Sequence, residues 1–407
     1  MRPNTPSSIL TRLNLGNTSA KDAFLRALEL YRENKTFCVP DAALEILSRC
    51  GDQTPFVLLG RSDFTGNFID GVGARARVLN VVDDFKGHRG EQFRGVDIIS
   101  TDKFLDMVKS NPDIIALNGC RFDYSRRFFD DLCRNHGIPH LNHEQAMRAL
   151  GLNATMDHRM ADWGDVIAAR SEEYARLEER MVDQCSIDTL YGVLTFHLTG
   201  NPEWYLNIAR PYSTLYFRSG LFSFSDHEKM VDCGASIGES TTALIGVTRG
   251  QFDHAWMIEP DKYNLATLRG LLRKYAGTPI AEKLSLHPVA AGEAAGDVPF
   301  LHLGGHGSTI LSSASAVSEA VRVETIDAIV DARPTIIKMD VEGFEMAALR
   351  GAARTIADAR PKLMLSAYHR SGDLLDIPAY IDTLAPDYRI GLRHHTEDRW
   401  DTCLYFF

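Results

Sequence analysis

Three apolar runs in this 407-residue chain stop at acidic or glycine residues: VDCGASIGES at 231–240, IEPD at 258–261 and IKMDVEGFE at 337–345. Strand-like runs that end this way mark a parallel α/β sheet, which gathers a binding site on the carboxyl edge of its strands. The first run turns sharply through Asp232, Gly234 and Gly238. The second ends at Glu259, about 20 residues beyond the last of those glycines, an interval that suits a ribose-bearing cofactor. The third brings Asp340 and Glu342 to another strand end. A cofactor-dependent enzyme fits these features better than a passive fold.

A chain of 407 residues is long for one core, so two or three domains are expected. The formal net charge is −10 and no basic block offsets it, so nucleic acid is not an expected partner. Local basic groups remain at Arg121, Arg126 and Arg127. Seven scattered cysteines without a CxxC pair read as reduced thiols rather than a disulfide framework or a zinc site. Cys233, inside the glycine turn, reads as a small packed residue, because no histidine neighbours it in sequence to activate it. The opening MRPNTPSSIL lacks the apolar core of a signal peptide, and no stretch reaches the roughly 18 apolar residues of a membrane span. A cytoplasmic enzyme is expected.

Residues 1–54 divide into a polar segment, expected to be mobile over 1–20, and two helices. Phe24, Leu25, Leu28, Leu30, Leu44, Ile46 and Leu47 carry the helical spacing, which breaks near Pro40 and restarts at Asp41. Residues 55–150 read as a Rossmann-like α/β domain. Its strands are FVLLG at 56–60, VLNVVDD at 78–84, DIIALNG at 113–119 and a short last one starting at GIPH, 137–140. Gly60, Gly66 and Asp83 are either a nucleotide or nucleotide-sugar site or parts of a packing domain. The turn GRSDFTG lacks the GxGxxG spacing, which favours packing. Residues 151–215 read as a helical bridge with an apolar face of Val166, Ile167, Tyr174, Leu177 and Met181. Aromatic residues then cluster at Trp204, Tyr205, Tyr212, Tyr216, Phe217, Phe222 and Phe224, as core or as an active-site floor.

Residues 216–407 form a second α/β domain. The expected strands are MVDCG, AWMIE, LSLHPVAA, TIIKMD and KLMLSAYH with helices between them, then an antiparallel pair, YRIGLRHH and DTCLYFF. This half resembles the FkbM family of S-adenosylmethionine-dependent methyltransferases. The likeness rests on YF at 216–217, VDCGASIGES, IEPD, VETID at 323–327, IKMDVEGFE, LSAYH and the closing hairpin. It covers roughly half the chain; the distinctive block is IKMDVEGFE. Cys233 and Ser236 stand where the family often has small residues or Asn. The resemblance implies a class I methyltransferase fold: a seven-stranded, mostly parallel sheet with its last strand antiparallel. It also implies methyl transfer, usually to a hydroxyl oxygen on a sugar or polyketide.

Under that resemblance the residues acquire expected roles. Backbone N–H groups from the turn of Gly234, Ala235, Ser236 and Gly238 hold the donor's carboxylate, with Gly234 leaving room for the cofactor. Asp232 accepts from the ammonium group, and Glu259, with Pro260 and Asp261 after it, accepts from the ribose hydroxyls. The alternative for Asp232 and Glu259 is helix capping or a solvated turn. Ala290, on the third strand, would pass beside the adenine. Asp340 and Glu342 are candidates for the base or for ligands of a divalent metal, with Glu345 extending the cluster or starting a helix. Lys338 is expected to act there or to pair with Asp340. His369, ending the next strand, is the best-placed histidine to take a proton. His394, His395 and Asp398 are weaker candidates for the acceptor border, and His306 sits in a glycine-rich stretch that is either a lid or a surface loop.

The expected acceptor is a small molecule or saccharide: a sugar, polysaccharide precursor or secondary metabolite. A homo-oligomer is compatible with the sequence. Two other functions compete: an NAD-dependent oxidoreductase or epimerase, which predicts a GxGxxG turn where this chain has GASIG, and a non-catalytic nucleotide-binding scaffold.

Overall fold

The computed structural model describes residues 19–87, 89–152, 163–305, 309–310 and 318–407. The expectations for residues 1–18 and for His306 fall outside these. The chain divides into two compact units. One comprises Met1–Ser171, Asp188–Ala209 and Thr396–Arg399, the other Glu172–Ile187, Arg210–His395 and Trp400–Phe407.

The amino-terminal unit opens with helices Ala20–Glu33 and Asp41–Cys50. Ser19 caps the first by accepting from the Asp22 N–H, and Asp41 puts negative charge in the first turn of the second. Six strands follow: β1 (Pro55–Leu59), β2 (Arg77–Val82), β3 (Gln92–Phe93), β4 (Val96–Ile99), β5 (Ile115–Asn118) and β6 (His140–Asn142). Their order is β3-β4-β2-β1-β5-β6. All pairs are parallel except β3–β4. Every residue of the central β1 is buried, as expected of a strand covered on both faces. The sequence predicts no strand between 84 and 113, yet β3 and β4 lie there. They form a hairpin whose two loop residues, Arg94 and Gly95, both take positive φ (50° and 78°), the backbone that a two-residue hairpin demands.

The second unit is built on seven strands. The first three are β7 (Lys229–Cys233), β8 (His254–Ile258) and β9 (Leu284–His287). A separate four-stranded sheet follows: β10 (Ala290–Ala291), β11 (Gly296–Leu301), β12 (Thr309–Ile310) and β13 (Glu319–Glu324), in the order β10-β13-β11-β12. The large sheet resumes with β14 (Ile336–Met339), β15 (Lys362–Ser366), β16 (Ile390–His394) and β17 (Thr402–Phe406). Its order is β16-β17-β15-β14-β7-β8-β9, and β17 runs antiparallel to both neighbours. This is the expected class I methyltransferase sheet, hairpin included.

One expectation needs correcting. LSLHPVAA is not a single strand. Pro288 has no N–H to donate, so the ladder with β8 ends at His287, and Ala290 pairs instead with Val323 in the small sheet. The interval between β9 and β14 therefore holds the small sheet as well as a short helix, Ile326–Ile329. Among the described residues, no helix is long and apolar enough to cross a membrane.

Candidate active site

The ends of β7, β8 and β14 meet at one edge of the seven-stranded sheet. Gly234, at φ 75°, follows β7, and a Cβ built on it would lie 1.9 Å from the Asp340 carbonyl oxygen. The glycine is thus required by close approach to the chain after β14. Ser236 adopts φ 49°, strained for a residue with a side chain, and its N–H donates to Glu259 Oε2 at 2.7 Å. Glu259 Oε1 accepts from the Asp261 N–H at 2.8 Å. The first turn and the second strand end are therefore tied through one carboxylate. Burial outweighs these hydrogen bonds and pushes Glu259 up to about 7.

Asp261 is spent on structure. Its Oδ1 accepts from the N–H groups of Tyr263 and Asn264, capping the helix Lys262–Tyr275. Gly238 (φ 93°) caps the helix Glu239–Val247, and Ala235 is buried beside it. Pro260 is half-buried between Glu259 and Asp261. Ser236 Oγ and Asn264 Nδ2 both donate to the Gly305 carbonyl, at 3.4 and 3.0 Å, which ties the glycine-rich loop to this corner.

Asp232 is fully buried, which raises its pKa despite Lys338 nearby. Its Oδ2 accepts from Thr241 Oγ1 at 2.7 Å, and its Oδ1 faces Lys338 Nζ at 3.4 Å. Lys338 donates to the Gly234 carbonyl at 2.7 Å. The expected Lys338–Asp340 pair is thus a Lys338–Asp232 pair, because β14 and β7 are in register with Lys338 opposite Asp232. It braces the turn from beneath. Cys233 is also buried, and burial pushes its thiol upward, away from nucleophilic chemistry.

The acidic cluster forms past β14. His369 is fully buried, three residues beyond the end of β15. Its Nδ1 stands 2.8 Å from Glu345 Oε1, and its Nε2 stands 3.5 Å from Glu342 Oε2 and 3.6 Å from Asp340 Oδ1. Burial alone would depress this imidazole, but Glu345, Glu342 and Asp340 outweigh it and raise His369 to about 10. With its pKa raised this far, the imidazole carries a proton at neutral pH. Burial disfavours the charge on Asp340 too, but His369 and Lys338 prevail and hold it below the usual carboxylate range. Glu345 both starts the helix Glu345–Arg350 and joins the cluster, its Oε1 accepting from the Val341 N–H at 3.0 Å. Candidate metal-ligand atoms of Asp340, Glu345 and His369 lie within 4.8 Å of one another. Glu342, at φ 54°, reaches the same cluster through its Oε2, 3.5 Å from His369 Nε2.

Two tyrosines complete the site. Tyr216 OH donates to Asp340 Oδ2 at 3.0 Å, and Tyr368 OH donates to Asp340 Oδ1 at 3.3 Å. Tyr216 was one of seven clustered aromatics in the sequence and part of the YF stretch that carried the family resemblance, but nothing there tied it to Asp340; Tyr368 had only its place beside His369. His394 and His395 are buried at the end of β16, with His394 Nδ1 2.8 Å from Thr402 Oγ1 and His395 Nε2 3.1 Å from Tyr405 OH. Their neighbour in sequence, Asp398, belongs to the amino-terminal unit.

The methyltransferase FkbM domain matches residues 232–390, the span from the first strand end to the last hairpin. A crystal structure of methyltransferase FkbM from Methylobacillus flagellatus KT, at 2.20 Å resolution, aligns with a TM-score of 0.87 and 49% sequence identity. The alignment covers 95% of this chain and 99% of that one, so the likeness takes in both units. This chain belongs to the FkbM methyltransferase family. No curated protein matches it. Within this FkbM methyltransferase, the domain match begins at Asp232 itself and includes Glu259, Asp340 and His369, and leaves Tyr216 outside it.

Proposed function

We propose that this FkbM methyltransferase uses S-adenosylmethionine to methylate a hydroxyl oxygen of a saccharide or secondary metabolite. The observation that carries the reading is Glu259: a nearly buried carboxylate, gripped by the N–H groups of Ser236 and Asp261, at the meeting of a glycine turn and the adjacent strand end. Its remaining lone pairs suit the two hydroxyls of a ribose. The cofactor fits in a second respect, since Asp232 Oδ1, a buried oxygen beneath the same turn with Lys338 Nζ at 3.4 Å, retains lone pairs for the donor's ammonium group. When bound, S-adenosylmethionine supplies an electrophilic methyl group on a cationic sulfur.

Asp340 is the base in this proposal. It stays ionised, and Tyr216 and Tyr368 fix its two oxygens. His369, as imidazolium, keeps the surrounding carboxylates charged. A divalent cation is the second reading, favoured by the grouping of Asp340, Glu345 and His369. Carboxylate oxygens and an imidazole suit such an ion, which must compete with the His369 proton to bind.

Titration calorimetry with S-adenosylmethionine and with NAD tests the cofactor, and binding of NAD alone would sink the proposal. Asp340→Asn is expected to keep donor affinity and to lower turnover by about 100-fold. Turnover that chelator abolishes and magnesium or manganese restores would select the metal reading.

A further inference from the structure

At the carboxyl edge of the six-stranded sheet is a cleft open to solvent. Its walls belong wholly to the amino-terminal unit. They come from the helix after β1 (Phe64), the end of β5 (Asn118) and the start of the helix after β6 (His143), with Asp398 and Arg399. The strand order turns back between β1 and β5, the point at which open parallel sheets bind ligands.

The polar groups here are unusually idle. Arg399 is 2% exposed. It gives Nη2 to Glu144, while Nε and Nη1 have no hydrogen-bond partner. Its guanidinium lies 4.9 Å from the centre of the Phe64 ring. His143, 4% exposed, has neither ring nitrogen bonded, and its ring centre is 5.0 Å from that of Phe64. Asp398 Oδ2 also lacks a partner. By contrast, the Asn118 amide is already used, donating to the Arg126 carbonyl and to Asp130 Oδ1. Buried polar atoms without partners are rare, and a charged group left so is the costliest kind. Here five such atoms on three residues line one cavity.

We infer that this cavity binds a small hydroxylated oxyanion, with a phosphoryl or carboxylate group on Arg399, hydroxyls on His143 and Asp398, and an apolar sugar-like face on Phe64. The delocalised Arg399 cation suits an oxyanion. A neutral imidazole and a carboxylate together supply the donor and acceptors that hydroxyls require. The inference is independent of the methyl-transfer reading, because none of its residues belongs to the second unit.

The test is titration calorimetry of the full chain with inorganic phosphate, a hexose 1-phosphate, a hexuronic acid and a neutral hexose. One anionic sugar is expected to bind and the neutral hexose not, and the anionic sugar that binds identifies the oxyanion. Arg399→Lys keeps a cation for Glu144 but removes the idle donors, and is expected to weaken binding at least tenfold with an unchanged circular-dichroism spectrum. Asp398→Asn is expected to weaken the sugar but not inorganic phosphate. The inference is overturned if no probe binds the folded wild type, or if phosphate alone binds, as an adventitious ion only. It is equally overturned if Arg399→Lys is folded and binds as tightly, or if a probe-soaked crystal shows only ordered water on Arg399 Nε and Nη1.

Discussion

His143 and His369 are both buried near the carboxyl edge of a parallel sheet, one in each unit, and the fold gives them opposite charge. Burial depresses His143 well below the ordinary value, and the Arg399 cation depresses it further. Burial would do the same to His369, but three carboxylates reverse it. The strand-end acids diverge likewise. Asp83, after β2, is paired with Arg61. Glu259, after β8, is held by main-chain N–H groups and keeps lone pairs for another partner. The strand–glycine–acid pattern is thus common to both units, and what the neighbours leave unsatisfied decides what each edge can do.

The harshest way to break this comparison is to substitute the two turn glycines. Both have positive φ, 82° for Gly60 and 75° for Gly234. A Cβ at Gly60 meets the movable Cys120 Sγ at 2.6 Å, whereas at Gly234 it meets a backbone oxygen at 1.9 Å. Gly234→Ala is expected to cost about 3 kcal/mol or more and Gly60→Ala about 1–2, measured by denaturant unfolding. Equal losses would show that the two turns are equivalent.

Breaking the second histidine's cluster ranks next. A group whose pKa rises on folding stabilises the fold fully below its unfolded value, near 6.5, and stops doing so as pH passes through about 10. His369→Gln should therefore lose about 3 kcal/mol at pH 6, with the deficit closing near pH 10. His143 has the opposite sign: its neutral form is favoured by folding, so the wild type loses stability as pH falls below 6.5 and His143→Gln should lose less over that range. Unfolding midpoints across pH 5–10 measure both, and a pH-independent deficit in His369→Gln would contradict the charge assigned to it.

A finer distinction concerns the acids. Glu259 is raised to about 7, so its ionised form, the better acceptor for ribose, grows as pH rises through that value. S-adenosylmethionine affinity is expected to increase across pH 6–8 in the wild type. Glu259→Gln should bind at least tenfold more weakly at pH 8 and lose that dependence. The smallest effect belongs to Asp83→Asn, which breaks an ion pair with the partly exposed Arg61 and should cost under about 1 kcal/mol without altering donor affinity. A comparable loss of donor affinity in Asp83→Asn would erase the contrast.

Much of the large sheet was legible because its strands are buried on both faces and stop at glycine or acid. β7, β8 and β14 therefore stand out as apolar runs with abrupt ends. The glycine turn, Glu259 and Asp340 share that legibility. The small sheet did not, since β10 and β12 are two residues each, and β10 pairs with Val323 and Glu324 of the distant β13. Tyr216 shows the same limit: it is 124 residues from the Asp340 it contacts, and no local spacing announces such a meeting. The charge on His369 depends on three carboxylates brought together by two strand ends, so only assembled geometry reveals it. The partner of Lys338 was misjudged for a related reason, because same-strand proximity lost to the cross-strand register with Asp232.

The break at Pro288 gives the insertion between β9 and β14 the character of a cassette. Its four strands form a sheet apart from the seven-stranded one. Its turn reaches the corner of Ser236 and Glu259 through Gly304 and Gly305, which donate to Asp261 Oδ2 and Asn264 Oδ1. Rebuilding 293–324 in length or sequence would leave the registers of β9 and β14 untouched while changing what overhangs the Ser236 turn. For protein engineering, that makes the segment the natural place to graft loops from a relative, with Gly304, Gly305 and Asn264 as the anchor points to retain.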